Sequence, residues 1–186
     1  MRVHRHHHGG PDGFTGRRVR WYDFMASKLI RRLYRRLARD LAPLAPEGGA
    51  VLDVGTGPGV LLLELAQQRP DLTLTGLDRS PDMVAAAQHK LARLGTRATA
   101  VTGDAADLPF PDASFDLIVS SASLHHWEHP ENAAPELARV LRPGGRVCIY
   151  DFPTAPFDAL TTDGERTPIR HRMPFMPKLV RVVYTP

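Results

Sequence analysis

The stretch Val51-Leu-Asp-Val-Gly-Thr-Gly-Pro-Gly59 constrains this chain most. It reads as a buried strand, a tight glycine turn and the start of a helix. Glycine lacks a Cβ and tolerates positive φ, so such a turn lets a ligand approach the backbone closely. The helix that follows adds free N–H donors and the favourable end of its dipole. Asp78 closes the next apolar run, Leu72-Thr-Leu-Thr-Gly-Leu-Asp78. That spacing of about 20 residues suits a carboxylate holding a ribose diol. The turn is not the dinucleotide fingerprint, because Val60 stands where G-x-G-x-x-G needs glycine. Asp53 beside the loop would repel a pyrophosphate and suits a ligand with an ammonium or sulfonium. A nicotinamide oxidoreductase is disfavoured on both grounds.

The chain then alternates strand and helix. Strands are expected at about 50–54, 72–77, 97–102, 115–120 and 146–151. Helices are expected at 58–69, 81–94 and 131–141, with Ser80 capping the second and Gly95 stopping it. This alternation predicts an α/β fold: a doubly wound, Rossmann-like, mostly parallel sheet with helices on both faces. A crossover of a dozen or more residues is expected after the fifth strand. Here 152–166 holds Pro153, Pro156 and Gly164 and room for one short helix near 157–162. Segments 169–173 and 179–184 are expected to pair as closing strands. The C-terminal part is therefore read as shortened.

Four blocks in order carry a family resemblance: Val51–Gly59, Gly76-Leu-Asp-Arg-Ser80, Gly103–Asp116 and Leu141-Arg-Pro-Gly-Gly-Arg-Val147. The chain resembles the class I S-adenosylmethionine-dependent methyltransferases. It is most similar to the small-molecule group that includes ubiquinone and menaquinone biosynthesis enzymes. The resemblance implies S-adenosylmethionine as cofactor and S-adenosylhomocysteine as product. It also implies that Gly55, Thr56, Gly57 and Gly59 embrace the amino acid part, with Asp53 on its ammonium. Asp78 would take the ribose hydroxyls, Arg79 would lie beside the adenine, and Asp104 with Ala105 would contact the base. Ser120 and Ser121 would lie near the methyl group, and Tyr22 near the cofactor. His126 or His125, in Ser123-Leu-His-His-Trp127, is the candidate general base, since imidazole titrates near 6.5. Alternatively, Leu-His-His-Trp is a structural segment. No metal site is expected in the fold proper.

Composition sets the remaining bounds. At 186 residues, one domain is the simplest division. Residues 1–16, rich in histidine and glycine, read as a flexible arm. Residues 17–186 read as the methyltransferase domain, with 17–45 as helical cover, 50–151 as cofactor core and 152–186 as the closing segment. No apolar run of about 18 residues exists, and the N-terminus lacks the apolar core of a secretory signal. The single Cys148 rules out an internal disulfide framework and reads as a core residue. These features point to the cytoplasm.

The net charge of +4 is concentrated between Arg17 and Arg39. Tyr22, Met25, Leu29, Leu33, Leu37 and Leu41 form an apolar helical stripe, and arginines take the opposite face. Packing against the sheet, or covering the site, is the first reading of this helix. Peripheral contact with a membrane surface is the second. A small-molecule acceptor at oxygen, carbon or nitrogen is the expected partner. A nucleic-acid methyltransferase is the less favoured reading, because Ser120-Ser-Ala-Ser stands where such enzymes carry Asn/Asp-Pro-Pro-Tyr. A non-catalytic cofactor-binding protein of the same fold is the other alternative.

Overall fold

The computed structural model describes residues 28–169 and 178–186. Tyr22, the histidine arm and the segment 170–177 lie outside them. The first described helix, α1, is Lys28–Leu41. There follow β1 Ala50–Val54, α2 Val60–Gln68, β2 Thr73–Asp78, α3 Pro81–Leu91, β3 Ala98–Thr102 and β4 Phe115–Ser121. Next come α4 Pro130–Val140, β5 Leu141–Asp151, β6 Glu165–Ile169 and β7 Leu179–Tyr184.

The seven strands form one sheet in the order β3-β2-β1-β4-β5-β7-β6. β1 pairs in parallel with β2 and β4, and β2–β3 and β4–β5 are also parallel. β7 runs antiparallel to both β5 and β6. The sheet is thus Rossmann-like and mostly parallel, as the alternation predicts. Strand order reverses between β1 and β4, so the carboxyl ends of β1, β2 and β4 open a crevice there.

Near-continuous apolar strands follow from helices covering both faces. Val51, Leu117 and Cys148 pack with Leu33, Leu37 and Leu41 of α1 and Leu61, Leu62 and Leu65 of α2. Leu52, Ile118 and Ile149 pack on the other face with Ala133, Leu137 and Val140 of α4. Cys148 is fully buried, and burial pushes its thiol up to about 12. It is a core residue, as expected.

The structure moves several boundaries. α2 begins at Val60 rather than Pro58, because Gly59 sits in the left-handed region (φ 72°) as its N-cap. α3 stops at Leu91, and a 3-10 segment, Ala92–Arg97, carries the chain through Gly95 at φ 62°. Ser80 caps α3 as read from the sequence, accepting from Met83 N at 3.4 Å. β5 begins at Leu141, and its pairing jumps from Phe115↔Leu141 to Leu117↔Arg146 across the Pro-Gly-Gly turn. After β5 the only helical turn before β6 is the 3-10 segment Phe157–Ala159. β6 starts at Glu165, four residues earlier than expected, and Ile169 already faces Leu179. The β5–β6 connection is short because Pro153 and Pro156 break helix and the sheet edge takes the chain directly.

Candidate active site

A cavity of about 730 Å³ lies at the crevice. That is within the roughly 300–1,000 Å³ common for small-ligand sites. Its floor is the glycine turn. Gly55, Gly57 and Gly59 all have positive φ (76°, 52° and 72°). The amides of Gly55 and Thr56 both donate to the Leu77 carbonyl, at 2.7 and 2.9 Å, which fixes the turn on the end of β2. The Gly57 amide donates to Asp78 Oδ2 at 2.8 Å, and the Ser80 amide donates to Asp78 Oδ1 at 2.9 Å. Asp78 therefore stands at the mouth of the turn, oriented by two backbone donors. Burial raises its carboxyl above the usual range, and the two amides partly offset that.

Asp53 lies beneath this floor. It is fully buried, and Thr56 Oγ1 donates to its Oδ2 at 2.8 Å. Its Oδ1 has no hydrogen-bond partner among the described residues. Burial, aided by the charge of Asp78, pushes its carboxyl up to about 7 against the pull of the Thr56 hydrogen bond.

Arg79, Asp104, Ala105 and Glu128 form one end of the cavity wall. The Arg79 guanidinium lies 3.3 Å from Asp104 and 3.2 Å from Glu128, so it bridges the β2 end, the β3 end and the segment before α4. Ser121, Ala122, Ser123, His126 and Trp127 form the β4 side, and Tyr34 of α1 reaches the cavity from outside the sheet. Ala122 is held at φ 50° with its amide donating to the Tyr150 carbonyl at 2.7 Å. Such a conformation in a non-glycine residue is uncommon and clusters at functional sites. Ser123 packs against Gly55: a Cβ there would fall 1.8 Å from Ser123 Oγ. That oxygen accepts from Trp127 Nε1 at 3.1 Å.

The two histidines separate in role. His126 lines the cavity, and partial burial together with neighbouring His125 lowers its pKa. His125 turns away. Its Nδ1 lies 2.7 Å from Asp151 Oδ1, its amide donates to Asp151 Oδ2 at 3.3 Å, and its ring packs 4.7 Å from that of Phe152. Asp151, fully buried at the end of β5, thus anchors the segment that carries His126. The rings of His125 and His126 are 3.9 Å apart.

Of the residues expected at the site, the fold brings Gly55, Thr56, Gly57, Asp78, Arg79, Asp104, Ala105, Ser121 and His126 to one cavity. Four of the expected residues lie off the cavity wall. Gly59 is a packing glycine: its missing Cβ lets α3 approach, since a Cβ would meet that of Ala87 at 3.1 Å. Ser120 is fully buried and off the cavity wall, as strand alternation dictates once Ser121 faces it. His125 faces Asp151, and Asp53 supports the loop from below. Tyr34 and Asp151 were not legible as site residues in the sequence. Only Asp151 carried any signal, an acidic residue at the carboxyl end of a central strand.

Residues 51–145 match the family described as methyltransferase domain, and the chain belongs to it. With its sheet order and glycine turn, it is a class I S-adenosylmethionine-dependent methyltransferase domain. It is similar to the demethylmenaquinone methyltransferase of Thermus thermophilus, at 38% identity over 123 residues (66% of this chain, 56% of the relative). It is also similar to the 27-O-demethylrifamycin SV methyltransferase of Amycolatopsis mediterranei, at 38% over 151 residues (78% and 54%). The solved PH0226 protein of Pyrococcus horikoshii shares the fold, with a TM-score of 0.71 over 90% of this chain and 98% of that one at 19% identity. The chain spans little more than half the length of these two curated relatives.

Proposed function

We propose that this domain binds S-adenosylmethionine in the cavity and methylates a small-molecule acceptor, of which a hydroquinone is the best-supported class. The observation that carries this is the junction of Gly57 and Asp78: an oriented carboxylate beside an open backbone turn. The residues fit the cofactor. A Cβ on Gly57 would meet nothing within 4 Å, so the turn leaves room for a ligand against its backbone. Each Asp78 oxygen keeps a lone pair for a ribose hydroxyl beyond its amide donor. The buried, unpartnered Asp53 Oδ1 leaves an acceptor beneath the loop, and a cationic ligand above it would favour loss of the Asp53 proton. Arg79, Asp104 and Ala105 suit the adenine end.

When bound, the cofactor supplies an electrophilic methyl group on a sulfonium. In-line transfer then asks the protein mainly for alignment and exclusion of water. In this reading Tyr34, Ala122 and Ser121 bound the acceptor side. His126 accepts the proton from an acceptor hydroxyl. Its lowered pKa keeps it neutral, and so competent as a base, at neutral pH. His125 and Asp151 are positioning residues for His126. The quinone-type class is taken from the demethylmenaquinone relative, and its hydroquinone form from the suitability of an imidazole for a phenolic proton. A non-catalytic cofactor-binding protein is the second reading, favoured by the short β5–β6 connection.

The melting temperature with S-adenosylmethionine or S-adenosylhomocysteine tests the cofactor. Ligand at about 100 times its dissociation constant should stabilise by roughly 2.7 kcal/mol. The shift should fall to roughly 0.4–1.4 kcal/mol in Asp78→Ala. A folded protein showing no shift would sink the proposal, and a shift with no methylated product from any hydroquinone would favour the second reading.

A further inference from the structure

We propose that the arginine face of α1 docks the protein on an anionic phospholipid surface. Arg31, Arg32, Arg35, Arg36 and Arg39 are all exposed. At about 100° per residue they occupy an arc of roughly 140°. The opposite side of the helix is spent on the fold: Leu33, Leu37, Ala38 and Leu41 are each no more than 5% exposed. The apolar stripe thus fixes the helix and gives the arginines no part in the core. Asp40, at the border of the arc, is turned to Arg181 at 3.5 Å. The buried Glu64 of α2 pairs with Arg31, and with Arg35 at 3.1 Å, which holds two guanidiniums in place while cancelling only one charge. Between the helices opens a groove of about 230 Å³ lined by Arg35, Arg39, Glu64, Gln67 and Gln68. Its guanidinium and amide donors suit phosphate oxygens.

A lipid surface fits this face better than a nucleic acid does. The basic arc holds no aromatic side chain on which a base could stack. The one aromatic residue in α1, Tyr34, lines the cofactor cavity instead. The same helix therefore joins the basic face to the acceptor side of the site. This inference rests on the proposed function for its purpose, because hydroquinones with long hydrocarbon tails dissolve in bilayers.

Cosedimentation tests it directly, with vesicles of phosphatidylcholine alone and with about a third phosphatidylglycerol. The full chain should pellet with the anionic vesicles only, and should release as salt rises to about 0.5 M. Arg32→Gln/Arg36→Gln/Arg39→Gln should weaken the partition by about 100-fold. It should keep the thermal shift with S-adenosylmethionine, since Arg31, Arg35 and Glu64 are untouched. Equal binding to neutral vesicles, no binding to either, or preferential binding of a single-stranded RNA in competition would each overturn the inference. The thermal shift and turnover of a short-chain, water-soluble hydroquinone are read separately. If those persist while vesicle binding fails, the docking inference falls and the proposed function stands. If vesicle binding persists without them, the reverse holds.

Discussion

Asp53 holds its proton to about pH 7 in the folded chain, whereas an unfolded aspartate releases it near 3.9. Between those values the folded form binds more protons, so stability falls as pH rises through that window and levels off above it. The effect is at most roughly 4 kcal/mol, from about three pKa units. Asp53→Asn should therefore flatten the decline in melting temperature between pH 4 and 7. An identical decline in both proteins would show that Asp53 does not carry it. In the proposed reading Asp78 acts on the ligand more than on the fold. Asp78→Asn removes the charge that would meet the ribose diol, and should weaken S-adenosylmethionine binding about 10–100-fold by calorimetry. His126→Ala should leave that affinity unchanged while slowing turnover at least about 100-fold. The wild-type rate should fall on the acid side, below the ordinary histidine value, because burial lowers the His126 pKa. Asp151→Asn should move that acid limb if His125 positions its neighbour; an unmoved limb would leave the pair a structural anchor only.

Among the elements, the glycine turn and the segment after β4 depend on each other. Gly55→Ala drives a Cβ into Ser123 and adds a side chain at φ 76°, and should cost about 2–4 kcal/mol in denaturant unfolding. Adding Ser123→Gly should recover the steric part and leave the conformational part, a coupling a double-mutant cycle measures. Simple additivity would deny the contact. The sequence shows the turn, because three glycines within five residues have few other uses. It does not show that Ser123, some seventy residues later, fills the space one of them leaves. The start of α2 slipped for a related reason. Pro58 is a good first-turn residue, yet Gly59 in the left-handed region caps the helix, so that α3 can pack against it. Tertiary packing overrides the local start signal.

At the scale of the molecule, the sheet is a ladder of long central pairs with a weak edge. β1 and β4 are covered on both faces by the two core clusters. Among the described residues β6 pairs only with β7, and Pro168 interrupts its donors. Hydrogen exchange should find β1 and β4 amides opening only on global unfolding and β6 opening well before. Uniform protection across the sheet would contradict this.

The sequence by itself determined the α/β alternation, the glycine turn, Asp78 at its distance and the short connection after β5. Each is encoded by local rules of periodicity, backbone permissiveness and turn chemistry, read within one βα unit. Only the tertiary structure decided which side chains share the cavity. Ser121 is in and Ser120 out, because successive strand residues face opposite sides. His126 is in and His125 out, because Asp151 on β5 captures the one and leaves the other. Tyr34 enters because the leucines of α1 set the rotation of that helix on the sheet. These choices are made by pairs distant in sequence, and local pattern holds no record of them.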